Sequence, residues 1–297
     1  MPSTTRKTTR RYLLQSYWSD APLSLLERAC LVSWVAAGAR VHLFTHDPLP
    51  TVRAQIPAHI RQHVEVLNAD AILPRSKKFA YTGAAPKSKR ADAFAALPFS
   101  DLFRYEMLRQ RGGWWIDMDI VLLRRIPGRI LRAPYCFVSE RTLQAGAYKS
   151  KEPAKPTNAM IWARDPGSEW AEWLAAASAK ATVDSAWTFM KVFQASLKEL
   201  DLGRYVEAPE FVMPINWWDL DGLFDPLESG DCLRQKYGVP GTCLDFLRDP
   251  KTVGVHLFRG LLRKQDLPYE DRSKIPPTSM LGRILAHVER ASGARLT

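Results

Sequence analysis

Apolar and polar positions follow two different periods near the start of the chain. Residues 12–18 form a short, mostly apolar run, which is typical of a buried strand. The next apolar positions recur at helical spacing: Leu25, Ala29, Val32 and Ala36. Ser24 with Glu27 forms a capping-box pattern, and Gly38 stands where a helix C-cap glycine belongs. Residues 40–45 predict a second strand, so this order predicts a βαβ unit with parallel strands.

A second regular passage begins at residue 100. Ser100 is a good N-cap residue and Asp101 suits a first turn, so we expect a helix that runs to about Arg111. It stops at the glycine pair 112–113, and residues 114–116 form an apolar strand. Further strands are expected near residues 64–67, 120–123, 135–139, 211–215 and 253–258, and helices near residues 168–180 and 185–200.

These elements predict an α/β fold class, with a mainly parallel central sheet flanked by helices. We expect one domain over residues 12–297, preceded by a basic, flexible terminus over residues 1–11. The helices at about 165–205 are expected to form an insertion in that domain, and the C-terminal segment is expected to fold back.

Charge indicates an anionic partner. The chain has 42 Lys+Arg against 31 Asp+Glu, a formal charge of +11, and the excess is concentrated in residues 6–11 and 75–90. Nucleic acid, a membrane surface and a phosphorylated small molecule all fit this charge. No helix-turn-helix, RRM or zinc-finger pattern supports nucleic acid.

Cysteine usage and hydropathy indicate a cytoplasmic protein. The four cysteines form no C-x-x-C pair and are most simply reduced thiols, with a Cys232–Cys243 disulfide as the alternative. The basic N-terminal residues are not followed by an apolar signal-peptide core, and no apolar run reaches the ~20 residues that span a bilayer. We therefore expect any membrane contact to be peripheral.

The sequence Asp117-Met118-Asp119 ends the apolar strand at 114–116. In an extended chain, residues i and i+2 share a face, so both carboxylates can reach one hard cation such as Mg²⁺ or Mn²⁺ while Met118 points into the core. Asp219 and Asp221 repeat the spacing within an aromatic segment that is typical of a turn or short helix. Context therefore favours the first pair as the functional one.

The surroundings of the first pair resemble a known family. They read S-D-x-x-R-Y-x-x-L-x-x-x-G-G-x-W-x-D-x-D and resemble the glycosyltransferases with a DXD-containing sugar-binding region. This group includes yeast-type initiating mannosyltransferases, globotriaosylceramide synthases and, more distantly, clostridial glucosylating toxins. Residues 15–18, 157–159 and 255–257 match further family segments, so the resemblance covers about residues 12–285 and is strongest over 100–123.

The resemblance implies roles for individual residues. Catalytic roles fall to Asp101, Arg104, Asp117 and Asp119; donor-binding roles to Gln15, Tyr17, Trp18, Trp115 and Asn158; and metal-binding roles to Asp117, Asp119 and His256. In that scheme Asp101 and Arg104 hold the hydroxyls of the donor sugar, and Trp18 stacks on the base. The chain departs from the family pattern at two points: Asn158 stands where many members have two asparagines, and Phe258 stands where Trp is common.

The function that the resemblance implies is hexose transfer on a GT-A fold, with retention of configuration. The donor would be a nucleotide sugar (a UDP-sugar favoured, a GDP-sugar the alternative), the cofactor Mn²⁺ or Mg²⁺, and the acceptor a glycan or a lipid-linked glycan. The expected location is cytoplasmic, with peripheral contact to the inner face of an anionic membrane left open. Two other functions stay open: a toxin-like enzyme that modifies a protein side chain and, less favoured, a nucleic-acid-binding protein.

Overall fold

The computed structural model describes residues 12–79, 97–144, 147–148, 154–227, 232–233, 236 and 242–296. The expected basic terminus over residues 1–11 and most of the basic run at 75–90 lie outside the described residues. Within the described ranges, no helix is both long enough and apolar enough to cross a bilayer.

Strands and helices alternate through the first half of the chain. The strands are β1 (Tyr12–Tyr17), β2 (Ala39–Thr45), β3 (Val64–Asn68), β4 (Gly113–Ile116), β5 (Ile120–Leu122), β6 (Tyr135–Glu140), β7 (Leu143–Gln144), β8 (Ala147–Tyr148), β9 (Lys155–Ala163) and β10 (Gly254–His256). The helices are α1 (Leu25–Ala36), α2 (Leu49–Gln55), α3 (Leu97–Arg111), α4 (Gly128–Arg132), α5 (Glu169–Lys180), α6 (Thr188–Glu199), α7 (Arg259–Lys264) and α8 (Met280–Ser292).

The main sheet of the described residues has six strands in the order β3-β2-β1-β4-β9-β6. The pairs β1–β2, β2–β3 and β1–β4 are parallel, whereas β9 runs antiparallel to both β4 and β6. The predicted α/β class with a mainly parallel sheet is therefore confirmed. The pattern did not predict β9, because Pro156 and Asn158 lie within it and both residue types are disfavoured in strands.

The predicted βαβ unit is present in β1, α1 and β2. Ser24 and Glu27 form the capping box, in which the Ser24 hydroxyl accepts from a helix amide and Glu27 accepts from the Ser24 amide. Gly38 has a φ of +94°, a conformation that an L side chain would strain. The sequence signals at both ends of α1 are thus confirmed.

The start of α3 differs from the prediction. The helix already includes Leu97, so Ser100 is not its N-cap and Asp101 is not in its first turn. Pro98 fits the first turn because the amide it lacks would have no helical partner there, and buried Phe99 packs against the core. Burial of this apolar turn, rather than the cap residue, extends the helix.

Residues 211–215 do not form the predicted strand. The chain makes a 3₁₀ turn at Pro209–Phe211 and then passes beside β10, where the Val212 carbonyl accepts from the His256 amide at 2.7 Å. Pro214 has no amide to donate to a strand ladder, which explains why an apolar run forms no regular strand here.

Two hydrophobic clusters cover the opposite faces of the sheet. Trp114 faces the cluster formed with α1 and α8, and Trp115 faces the cluster formed with α3, α5 and α6, as alternation along β4 requires. Met118 is buried in the first cluster, as predicted. The helices expected as an insertion thus supply one face of the core, and their status as an insertion stays a prediction.

The four cysteines do not share one state. Cys232 and Cys243 form a disulfide, whereas Cys30 and Cys136 are buried free thiols. The expectation of four reduced thiols is therefore wrong for the first pair, and the alternative of a Cys232–Cys243 disulfide is confirmed. An antiparallel bridge between Cys232 and Cys243 brings their backbones together.

Candidate active site

The candidate site lies at the carboxyl end of β4, the edge at which ligands bind in α/β sheets. Asp117 directly follows Ile116, and its carbonyl accepts from the Ile120 amide at 3.1 Å. This tight turn carries Asp119 between β4 and β5. Trp34 of α1 donates its indole N–H to the Ile120 carbonyl at 2.7 Å, so a packed helix holds the far end of the turn.

Asp119 is held by the C-terminal segment of the chain. Strand β10 pairs antiparallel with β5 and puts His256 opposite Ile120. The His256 Nε2 atom lies 3.1 Å from Asp119 Oδ1, and the Arg259 amide donates to Asp119 Oδ2 at 2.8 Å. The Leu257 amide also donates to the Asp119 carbonyl at 2.9 Å. Both carboxylate oxygens and the backbone of Asp119 therefore have fixed partners.

Asp117 faces the helix side of the site. Its Oδ1 atom accepts from the Trp115 indole at 2.7 Å and lies 3.2 Å from Arg104 Nη1. The Arg104 guanidinium also sits 4.9 Å from the centroid of the Trp115 ring. One oxygen of Asp117 is thus held by two donors, which fixes the direction of the carboxylate.

A buried polar network surrounds Arg104. Its Nη2 atom lies 3.2 Å from Asp101 Oδ1, and Asn158 Nδ2 donates to the same oxygen at 2.9 Å. The Asn158 amide also lies 2.8 Å from the Tyr105 hydroxyl, and Arg104 Nη1 donates to the Asn158 carbonyl at 2.5 Å. Sequence reasoning assigned no role to Tyr105, although it stands in the S-D-x-x-R-Y pattern. Asp101 and Arg104 are only 5% and 3% exposed, so this network is shielded from solvent.

Burial and pairing move the carboxylate pKa values in opposite directions. Burial raises the pKa of Asp101 to about 6 even though Arg104 opposes the shift. Burial also raises the pKa of Asp117. Burial acts in the same sense on Asp119, but His256 and Arg259 together outweigh it, and the pKa of Asp119 is lowered. For His256, burial favours the neutral ring, yet Asp119 raises its pKa above the ordinary value.

The three predicted metal-binding residues come together. Asp117, Asp119 and His256 each offer one ligand atom, and these atoms lie within 4.8 Å of one another. Two carboxylate oxygens and one imidazole nitrogen form a donor set that suits Mn²⁺ and also accepts Mg²⁺. The donor set therefore fits a divalent ion.

Trp18 lies next to this cluster. Its indole N–H donates to the Ala21 carbonyl at 2.8 Å, and the Arg259 guanidinium sits 4.6 Å from its ring centroid. The Arg259 amide also donates to Asp119, so Arg259 contacts both the Trp18 ring and the Asp119 carboxylate.

Tyr17 and Gln15 are placed differently. The Tyr17 hydroxyl lies 3.0 Å from His46 Nδ1, at the carboxyl end of β1. Gln15 is buried, and its amide donates to the carbonyls of Gly112 and Trp114 at 2.8 and 3.4 Å. Gly112 directly precedes β4 and Trp114 lies near its start, whereas the carboxylates follow its end, so the contacts of Gln15 join β1 to this end of β4 rather than reach the cluster.

The second D-x-D lies in a 3₁₀ helix, Trp217–Phe224, which confirms the predicted turn or short helix. Asp219 is buried and accepts from Asn216 Nδ2 at 2.9 Å. Asp221 is exposed and forms an ion pair with Lys236. The two carboxylates have separate partners, and no described histidine, cysteine or acid joins them to form a metal-binding group.

Comparisons with known proteins agree with the sequence pattern. Residues 50–138 match the family model described as "Glycosyltransferase sugar-binding region containing DXD motif". No curated protein matches the chain. The matched residues include α3, β4 and both carboxylates of the first pair.

Solved glycosyltransferase structures are distant from this chain. The apo form of GlyE from Streptococcus pneumoniae TIGR4 is 10% identical with a TM-score of 0.41, and the alignment covers 68% of this chain and 46% of that one. The chain thus spans about half the length of GlyE. The galactosyltransferase LgtC, solved with donor and acceptor sugar analogues, is 10% identical with a TM-score of 0.41 and covers 94% and 95% of the two chains. PaToxG glycosyltransferase is 11% identical with a TM-score of 0.36 and covers 65% and 69%.

These structural scores are too low to support a statement about substrates. The family match is local, but it covers the turn that carries the carboxylates and the helix that carries Asp101 and Arg104. The resemblance inferred from the sequence is confirmed over this region. Residues 50–138 of the chain are therefore similar to the glycosyltransferase sugar-binding region that contains a DXD motif, and they belong to an α/β fold.

Proposed function

We propose that the protein is a metal-dependent glycosyltransferase that moves a hexose from a nucleotide-sugar donor to a glycan or lipid-linked acceptor, with retention of configuration. The observation that carries this proposal is the meeting of Asp117, Asp119 and His256 beside the buried network of Asp101 and Arg104. A UDP-sugar is the favoured donor and a GDP-sugar the alternative.

The residues fit the chemical demand of the reaction. Breaking the bond between a sugar and a diphosphate builds negative charge on the leaving group. A divalent ion held by the two carboxylates and the imidazole would supply Lewis-acid stabilisation of that charge. Asp101 and Arg104 are fixed on α3 and would orient the hydroxyls of the donor sugar, while Trp18 would stack on the base.

Retention follows from a front-face reaction. The acceptor oxygen forms its bond to the anomeric carbon on the side from which the diphosphate leaves. The departing phosphate oxygen takes the proton of the acceptor, so no separate base is required. An inverting reaction would instead need a carboxylate base beside the acceptor, for which Asp219 and Asp221 are the candidates. Asp219 is buried against Asn216, and Asp221 forms an ion pair with Lys236.

A screen of nucleotide sugars with Mn²⁺, read as donor hydrolysis, tests the proposal and identifies the donor. Thermal stabilisation by UDP with Mn²⁺ is compared with stabilisation by duplex DNA, and stabilisation by DNA alone would contradict an enzyme of this type. NMR of the product then tests retention, since a β-linked product from an α-linked donor would exclude it. Cytoplasmic location and peripheral membrane contact stay predictions.

A further inference from the structure

Arg259 connects two parts of the site that are far apart in the sequence. Its backbone amide donates to Asp119 Oδ2, and its side chain reaches Glu27 on α1, with Nε 2.5 Å from Oε1. Its guanidinium also lies over the Trp18 ring, 4.6 Å from the centroid. A single residue thus contacts the metal side of the site, the aromatic ring and helix α1.

Glu27 is the fixed end of this connection. It is fully buried, and its second carboxylate oxygen accepts from the Ser24 amide at 2.7 Å in the capping box. Burial raises the pKa of Glu27, while Arg259 opposes this shift. Burial of the charged Glu27 side chain therefore costs free energy, and the ion pair with Arg259 offsets part of that cost.

Helix stability does not require this ion pair. A capping box forms equally well with glutamine, which is neutral and needs no buried cation. Buried ion pairs are weak evidence for stability, because apolar replacements of similar volume are often as stable. The pair must therefore be explained by what Arg259 contacts.

The backbone before Arg259 is also specialised. Phe258 has φ of 49° and ψ of 50°, the left-handed conformation that is strained for a residue with a side chain. This turn directs the amides of Leu257 and Arg259 toward Asp119. The position of Arg259 is thus fixed by its backbone as well as by Glu27.

We infer that Glu27 and Arg259 are positioning residues that couple the nucleotide side of the site, at Trp18, to the metal side, at Asp119. This inference rests on the proposed function for the identity of the two ligands. Arg259 lies over the Trp18 ring and its amide binds Asp119, so this one residue sets the position of the ring relative to the carboxylate.

The test compares Glu27→Gln with the wild type. This variant keeps the capping-box acceptor and removes the charge that holds Arg259. Glu199→Gln removes the same charge from an exposed position of α6 and is the matched control. Arg259→Lys is the second variant, because lysine keeps the charge and the backbone amide but has no planar group to stack on Trp18. Circular dichroism confirms that each variant is folded.

The first readout needs no ligand. The indole ¹H–¹⁵N resonance of Trp18, assigned by its loss in Trp18→Phe, shifts in Glu27→Gln and Arg259→Lys but not in Glu199→Gln. An unchanged Trp18 resonance in both variants overturns the inference, whether or not the protein binds a nucleotide. If the wild type binds neither Mn²⁺ nor UDP or GDP, the proposed function fails while this resonance still decides whether the pair positions Trp18.

The second readout is the factor by which Mn²⁺ increases the affinity for UDP, with GDP as the second probe. We expect this factor to fall about tenfold in Glu27→Gln, a size typical of coupling between two sites. Affinity for Mn²⁺ alone changes much less, because the three metal-binding side chains are intact. A lower melting temperature with unchanged coupling would show that the pair is structural only and would overturn the inference.

Discussion

The two D-x-D motifs have the same spacing and opposite surroundings. Asp117 and Asp119 follow a buried strand and meet His256 and Arg104, which come from the C-terminal segment and from α3. Asp219 and Asp221 lie in a 3₁₀ helix, where each carboxylate has a separate partner. The difference shows that spacing puts two acids near each other, whereas a third ligand and a rigid support make them a candidate metal site.

The largest expected difference between the two D-x-D motifs is in the rate of sugar transfer. Asp119→Ala removes a carboxylate that is expected to hold the metal beside the leaving diphosphate. We expect transfer to fall by about 10³-fold or more, the scale of losing a preorganised charge-stabilising group. Asp221→Ala leaves donor hydrolysis largely intact, because Asp221 pairs with Lys236 at the surface. Substantial activity of Asp119→Ala in the presence of Mn²⁺ would contradict the site assignment.

Metal binding provides the next comparison. His256→Gln removes the one imidazole of the candidate metal site, and we expect affinity for Mn²⁺ to fall about 10–100-fold, as is common when a metal site is perturbed. Asp219→Asn changes the second motif without touching the first, so its affinity for Mn²⁺ should equal that of the wild type. Titration of Mn²⁺ by electron paramagnetic resonance measures both. Equal losses in the two variants would show that the motifs are not functionally distinct.

Asn158 and Asn216 each donate a hydrogen bond to a buried carboxylate, so replacing either one should destabilise the fold to a similar extent. Asn158→Ala leaves Asp101 without one of its donors, and Asn216→Ala does the same to Asp219. We expect each change to lower the free energy of unfolding by about 1–3 kcal/mol, the cost of leaving a buried polar group without its partner. Only Asn158→Ala should also weaken donor binding. Chemical denaturation and donor titration separate the two effects.

The smallest expected effect is a dependence of donor binding on pH. Because the pKa of Asp101 is raised to about 6, this carboxyl gains a proton as the pH falls through 6 and loses the charge that pairs with Arg104. We expect donor affinity to fall by at most about tenfold per pH unit below that point. We expect Asp101→Asn to bind the donor more weakly and to show no change of donor affinity near pH 6. Asp221→Asn should keep that change.

The protonation of Asp101 should also make the stability of the fold depend on pH. Unlike donor affinity, this stability should fall as the pH rises. Between the ordinary pKa of 3.8 and about 6, the folded protein holds a proton on Asp101 that the unfolded chain has released. The contribution of Asp101 to the free energy of unfolding therefore decreases as the pH rises through this window. Melting temperatures of the wild type and Asp101→Asn, compared at several pH values between 4 and 7, measure this contribution.

Local signals predicted the elements that present the first motif. The capping box of Ser24 and Glu27, the glycine pair after α3 and the apolar strand β4 each follow from short-range physical rules. The choice between the two D-x-D motifs also followed from local context, since only Asp117 and Asp119 end a buried strand.

Long-range contacts could not be read from the same signals. Nothing local indicates that β9 would insert antiparallel beside β4, or that Arg259 would reach Glu27. The resemblance proposed His256 near the metal, but the pairing of β10 with β5 that brings it there depends on the whole fold. Gln15 matched the family pattern, and its hydrogen bonds with the carbonyls of β4 emerged only from the structure.

The antiparallel pairing of β10 with β5 would make completion of the candidate metal site a late step of folding. Asp119 and His256 are 137 positions apart in the chain, and contacts over such separations carry the largest loop-closure cost and tend to form slowly. A nascent chain that has emerged only as far as α6 holds both carboxylates but not the imidazole. Tight binding of Mn²⁺ would therefore report that the C-terminal segment has docked.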